Sequence, residues 1–192
     1  RISNDKKDNE TISVTLNRLM KIRQLIAYEK VPYTCEIIDK CLDQGKKVIV
    51  FTNFTMSLDM LHEKYKKNSV ILNGSMSKEK KQESVDRFQN EDKIKIFISN
   101  IIAGGVGITL TAGEVVVMND LSFVPAHHSQ AEDRAYRYGQ QNSVLVYYPV
   151  FENTVEKIIY NILQKKKNVI DQVMGDGEYS ESFSKDFIKQ LF

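Results

Sequence analysis

No run of residues in this chain approaches the roughly 18 apolar positions of a membrane span, and no signal-peptide pattern opens it. Cysteine is scarce: Cys35 and Cys41 stand six apart in a stretch that reads as helix, which points them away from each other, and there is no C-x-x-C pair. The three histidines, His62, His127 and His128, fit no zinc spacing, so no metal site is expected. This cysteine usage fits a reduced, intracellular protein. With 9 Gly and 3 Pro, collagen-like, linker-rich and wholly disordered chains are excluded. Excess charge is missing as well. Lys+Arg 27 against Asp+Glu 25 leaves +2, which excludes a histone-like sink for polyanions. Any grip on nucleic acid must come from placed groups and not from bulk charge.

What is present is an ordinary globular composition, 42% apolar and 27% charged over 192 residues. A chain of that length buries roughly 70% of its unfolded surface and needs no metal or disulfide staple. It opens on Arg1 and not on Met, so the expectation is a piece of something longer, monomeric by itself.

Residues 1–10 are polar and mixed in charge and read as a frayed lead-in. Leu16, Leu19, Met20, Ile22, Leu25 and Ile26 recur at helical spacing over 11–30, and Pro32 then opens a second helix that Gly45 stops. Beyond it, short Val/Ile-rich runs at 48–51, 70–72, 94–98, 115–118 and 144–150 alternate with periodic stretches at 55–66, 78–89, 100–103 and 125–138. That alternation predicts an α/β fold, a mostly parallel sheet with helices on both faces. A last helix is expected from Asn153, capped by an Asn153–Glu156 pair, to about Met174. Residues 175–183 read as a loop and 184–191 as a short terminal helix. The expected division is a lead-in over 1–10, one domain with flanking helices over 11–174, and a tail over 175–192.

Parallel sheets bind ligands beyond the carboxyl ends of their strands. Here four strands end on Thr52-Asn53, Asn73-Gly74-Ser75, Ser99-Asn100 and Asn119-Asp120, small or hydrogen-bonding residues suited to an anion-binding rim. Loops are polar anyway, which is the plain alternative. The run Ala103-Gly104-Gly105-Val106-Gly107-Ile108-Thr109 holds three glycines in four residues. It is no dinucleotide fingerprint, since Leu110 stands where the third glycine would fall, and no Walker A loop, since no Lys-Ser or Lys-Thr follows. A tight structural turn and a close backbone approach to phosphate both remain open.

In the segment 125–138, Gln130, Arg134 and Arg137 fall at i, i+4 and i+7, within about 60° on one helix face. Ala131, Ala135 and Tyr138 form a neighbouring packing stripe. The arginine-bearing face is either a solvated one laced by Asp133–Arg137 and His128–Glu132 pairs, or a phosphate clamp built on guanidinium forks.

Gln130 to Gln140, Q-A-E-D-R-A-Y-R-Y-G-Q, resembles motif VI of the Swi/Snf-type ATPases within helicase superfamily two. A-G-G-V-G-I-T at 103–109 resembles their motif V and V-I-V-F-T-N-F at 48–54 their motif IV. L-N-G-S at 72–75, with a helix ending on Arg87-Phe88, resembles the motif between them. Arg23-Gln24 is similar to the helix that introduces this lobe, and Asn153 to Glu156 with Lys166 resembles the helix that closes it. The likeness spans residues 14–174 in order. Departures are Phe123-Val124-Pro125 for the usual Trp-Asn-Pro, Tyr136 for His and Tyr138 for Ile.

The resemblance implies the second RecA-like lobe of a DNA-dependent ATPase, acting with a first, N-terminal lobe that holds most of the ATP and Mg2+ and with double-stranded DNA. It further implies that Arg137 is the arginine finger and that Arg134 assists it. Gln130, Gly105 and Gly107 would line the ATP cleft, and Thr52, Asn53, Gly74, Ser75 and Thr109 would contact the DNA backbone. Two other readings stand beside it. One is an adaptor that has lost its motor. The other is a stand-alone α/β nucleotide-binding or methyltransferase-like domain using Gly104–Gly107. The basic runs Lys165–Lys167 and Lys78, Lys80, Lys81 are solvated helix faces or DNA contacts.

Overall fold

In the computed structural model, the described residues are 2–102, 107–140 and 142–172, with side chains described for 13–102, 107–140 and 142–164. The expected tail over 175–192 lies outside them. Five strands, β1 (Val48–Thr52), β2 (Ser69–Leu72), β3 (Ile96–Asn100), β4 (Val115–Met118) and β5 (Leu145–Tyr147), form one sheet in the order β2-β3-β1-β4-β5. Every neighbouring pair is parallel, with Val48 opposite both Ile96 and Val115. Among the described residues five helices accompany them: α1 (Ile2–Asp43), α2 (Thr55–Lys64), α3 (Lys78–Asn90), α4 (Pro125–Ala135) and α5 (Val155–Gln172).

The central strand shows why its sequence is an unbroken apolar run: both of its faces are covered, so alternate side chains enter different cores. Ile49 and Phe51 pack with Val85 and Phe88 of α3 and with Ala131 and Ala135 of α4. Val48 and Val50 pack with Val31, Cys35 and Ile38 of α1 and Leu58 and Leu61 of α2. A third cluster, Leu19, Leu121, Ile159 and Leu163, joins α1 to α5. Cys35 and Cys41 are buried and free.

Three local expectations are corrected. The two helices foreseen on either side of Pro32 are one helix of 42 residues, and residues 2–10 form its first turns in place of a frayed lead-in. No glycine or proline interrupts residues 2–31. Pro32 removes one N–H and crowds the carbonyl four residues back, but burial of Ala27, Val31, Cys35 and Ile38 along one face holds both halves in line. At the other end, Asn153 does not cap α5. It lies at φ 59, and Glu156 turns inward, accepting from the Phe151 backbone N–H at 3.3 Å, while Thr154 donates to the Phe151 carbonyl at 2.8 Å.

The third correction concerns the arginines. The helix expected through residue 138 ends at Ala135. A continuing helix would give the carbonyls of Arg134 and Ala135 to later backbone N–H groups. Here Leu110 N–H takes the Arg134 carbonyl at 2.8 Å, and the Gln140 side chain takes that of Ala135 at 3.3 Å. Arg137 therefore leaves the helical face it was expected to share with Gln130 and Arg134, and the chain turns at Gly139 (φ +103).

The loop that captures α4 is packed closely beneath. A Cβ added at Gly113 would stand 2.4 Å from Cδ1 and 2.7 Å from Cγ1 of the fully buried Ile49. Overpacking of this kind costs about 1–3 kcal/mol. Gly113→Ala is expected to lower the free energy of unfolding by that amount, read as a lower urea midpoint with no change in the slope of the transition.

Candidate functional site

The connections leaving β1 and β4 run to opposite sides of the sheet, so the crevice at their carboxyl ends is the topological switch point where open α/β sheets bind ligands. Asn53 from the end of β1 and Asp120 from the end of β4 meet there. The Asp120 carboxylate accepts from the Asn53 backbone N–H at 2.9 Å, from the Asn53 side-chain amide, and from the Thr52 hydroxyl. Thr52 is fully buried and its hydroxyl is spent on this bond, so it is not open to a DNA phosphate as the resemblance implied. Asn53 is half-buried at the mouth of the crevice.

Farther along the same edge, beyond β2, Gly74 and Ser75 are exposed. Asn73 organises the turn by accepting from the Ser75 N–H (3.1 Å) and hydroxyl (2.8 Å). Lys81 reaches back from the first turn of α3 to donate to the Gly74 carbonyl at 3.4 Å. The α3 N-terminus is capped by Ser77, whose hydroxyl accepts from Lys80 N–H.

On the other side of the crevice, the segment after the glycine run gathers the arginines. Gly107 sits at φ +55, a conformation glycine adopts without strain, with open space where a side chain would stand. Arg134 is 6% exposed and its Nη1 lies 3.5 Å from the Ile108 carbonyl. Arg137 is exposed and donates from Nη1 to the Thr109 hydroxyl at 3.3 Å. Burial lowers the Arg134 pKa, and the neighbouring charge of Arg137 lowers it further. Arg134 nevertheless keeps its charge at neutral pH, because an arginine does not lose its proton in a protein. Two cations side by side on residues 108–109 form a ready counter-charge for a polyanion. Gln130 is exposed on α4, and Gly105 lies outside the described residues.

Several residues of the site have no local signature in the sequence. Arg23 of α1 is buried against the rings of Phe123 (4.0 Å) and Phe54 (5.6 Å), donates to the Leu121 carbonyl, and feels the charges of Asp120 and Glu156. Only its place beside Gln24 in the resemblance hinted at it. Lys30 pairs with Glu156 across 126 positions, both buried. Asn119 accepts from the Thr34 hydroxyl at 2.7 Å and donates to the Ala27 carbonyl at 3.2 Å. Glu132 accepts from the Tyr148 hydroxyl, which replaces the His128–Glu132 pairing foreseen along α4. The buried His128 bonds through Nε2 to the backbone of Ser122.

Among the described residues no helix is long and apolar enough to cross a membrane, and no cluster of His, Cys, Asp and Glu is arranged to hold a metal.

Residues 29–139 match the helicase conserved C-terminal domain. Among similar proteins is the Caenorhabditis elegans homolog of SWI/SNF-related matrix-associated actin-dependent regulator of chromatin subfamily A-like protein 1. It is 37% identical over 67% of this chain and 19% of its own length. The ATP-dependent helicase fft2 of Schizosaccharomyces pombe is 31% identical over 81% of this chain and 12% of its own. The chain thus spans a fifth or less of these relatives. The SWI2/SNF2 ATPase core of Sulfolobus solfataricus, solved with double-stranded DNA, superposes with a TM-score of 0.70 at 26% identity, covering 85% of this chain and 38% of that one. With the matched domain, the similar proteins and the parallel sheet all agreeing, this chain belongs to the helicase C-terminal domain family and is the C-terminal, RecA-like lobe of a Swi/Snf-type helicase.

Proposed function

We propose that this lobe, with its flanking helices over residues 11–174, completes an ATP site whose other half is carried by a first RecA-like lobe of the same protein. The pairing of Arg134 and Arg137 on residues 108–109 carries this reading. Arg137, exposed and bound only to a neutral hydroxyl at that contact, swings to the γ-phosphate and stabilises the charge that spreads over the transferring phosphoryl group. Arg134, held by the Ile108 carbonyl, keeps the loop in register and adds positive potential. Gln130 and Gly107 line the same cleft. ATP and Mg2+ rest mainly on the first lobe: the 192 residues contain no G-x-x-x-x-G-K-S/T and no Asp-Glu box.

Asn53, Gly74, Ser75 and Thr109 face double-stranded DNA and hold backbone phosphates, which sets position without reading sequence. Opening and closing of the two lobes during ATP turnover then moves the protein along the duplex. Relatives that carry chromatin regulators' names favour a compartment that holds DNA, nuclear or nucleoid. The modest net charge fits one lobe that touches few phosphates.

The reading is tested by measuring affinity for several duplexes of unrelated sequence across a salt series. Equal affinities that weaken with salt are expected, and Lys81→Ala is expected to reduce the slope of log K against log salt by about one. A strong preference for one duplex sequence would overturn the backbone-contact assignment.

A further inference from the structure

We infer that Asp120 is the positioning residue of the DNA-facing rim, acting through Asn53. This inference rests on the proposed role of Asn53 and deepens it. Asp120 is 3% exposed and does not itself meet a ligand. Its carboxylate receives three donors from two consecutive residues, the last of β1 and the one after it: the Thr52 hydroxyl, the Asn53 N–H at 2.9 Å, and the Asn53 amide. One N–H of that amide is thereby fixed, and the other remains for a phosphate oxygen. An isolated Asn at a strand end would sample several rotamers. Here a charged acceptor selects one, so the entropy of ordering it is spent in folding and not on binding DNA.

The carboxylate can stay buried because α1 backs it. Arg23, set against the rings of Phe54 and Phe123, and Lys30, paired with Glu156, both bring positive charge to bear on it. The adjoining Asn119 ties the same strand end to α1 at Thr34 and Ala27. A negative charge close beneath a phosphate-binding rim would repel DNA if Arg23 did not offset it.

The experiment measures duplex-stimulated ATP turnover of the full-length protein carrying Asp120→Asn, Asn53→Ala, or both. A substitution that removes one charge-assisted contact is expected to raise the half-saturating DNA concentration about tenfold. The effect is expected to fall on the half-saturating DNA concentration far more than on the kcat at saturating DNA. Because Asp120 acts through Asn53, the double variant is no worse than either single one. Multiplying effects in the double variant, or a fall in kcat instead of DNA affinity, would show a structural role only and overturn the inference. If Asn53→Ala has no effect while Asp120→Asn does, the DNA role of Asn53 is what fails, and the inference fails with it. If Asp120→Asn does not fold, Thr52→Val, which removes a single donor to the same carboxylate, takes its place. It is expected to raise the half-saturating DNA concentration in the same direction, and an unchanged value would count against the inference.

Discussion

Replacing Arg137 with alanine in the full-length protein is expected to abolish ATP turnover while largely sparing DNA binding. The size follows from the chemistry. The γ-phosphoryl group passes through a loose transition state whose charge needs stabilisation, and an arginine placed there is worth about 10³–10⁵ in rate. The structure supplies two reasons why the loss would be local. Arg137 is exposed, and its described contact is a 3.3 Å donation to Thr109, so removing it leaves no buried group unpaired. Arg137→Lys is expected to recover little, because an ammonium lacks the planar fork of donors. Arg134→Ala is a different case. That side chain is buried against the Ile108 carbonyl, so its loss reaches stability as well as turnover. Steady-state ATP hydrolysis with DNA binding measured in parallel separates the two: near-normal turnover in Arg137→Ala would remove it from the catalytic role.

The second large effect concerns stability. Lys30 is fully buried and paired with Glu156, which α5 brings to it together with the Phe151 N–H at 3.3 Å. Burial pushes the Lys30 pKa down and the Glu156 pKa up, and the opposite charge of each partner works against that shift. Such a pair costs desolvation that its mutual attraction roughly offsets, whereas one member left alone is an uncompensated buried charge. Lys30→Met or Glu156→Leu alone is expected to cost about 3–5 kcal/mol, while the double variant falls near the parent or up to about 4 kcal/mol above it. Urea denaturation of the 192-residue chain checks this. Single variants within about 1 kcal/mol of the parent would mean that the pair is not the buried bridge between α1 and α5.

These two cases also mark what could be read in the sequence. The sheet was legible because parallel strands covered on both faces leave continuous Val/Ile runs, and Val48–Thr52 is buried at every position. The arginine pair was legible as a motif, but its helical geometry was not. Whether α4 continues past Ala135 is decided by Leu110 and Gln140 competing for its last carbonyls, a tertiary contact no local pattern encodes. Pro32 misled for the same reason: its local penalty is real, and packing on both sides outweighs it. Thr52 was expected at the DNA backbone from the resemblance, but whether a strand-end hydroxyl faces out or in depends on the residue across the crevice, here Asp120. Lys30 and Glu156, 126 positions apart, carried no joint signal at all.

The split active centre is tested most directly by measuring ATP hydrolysis of the 192-residue chain by itself, with and without duplex DNA, beside the full-length protein. Background hydrolysis by the chain, unchanged by DNA, is the expected result, since these residues offer arginines but no phosphate-gripping lysine loop. Appreciable turnover stimulated by DNA from the chain alone would contradict it.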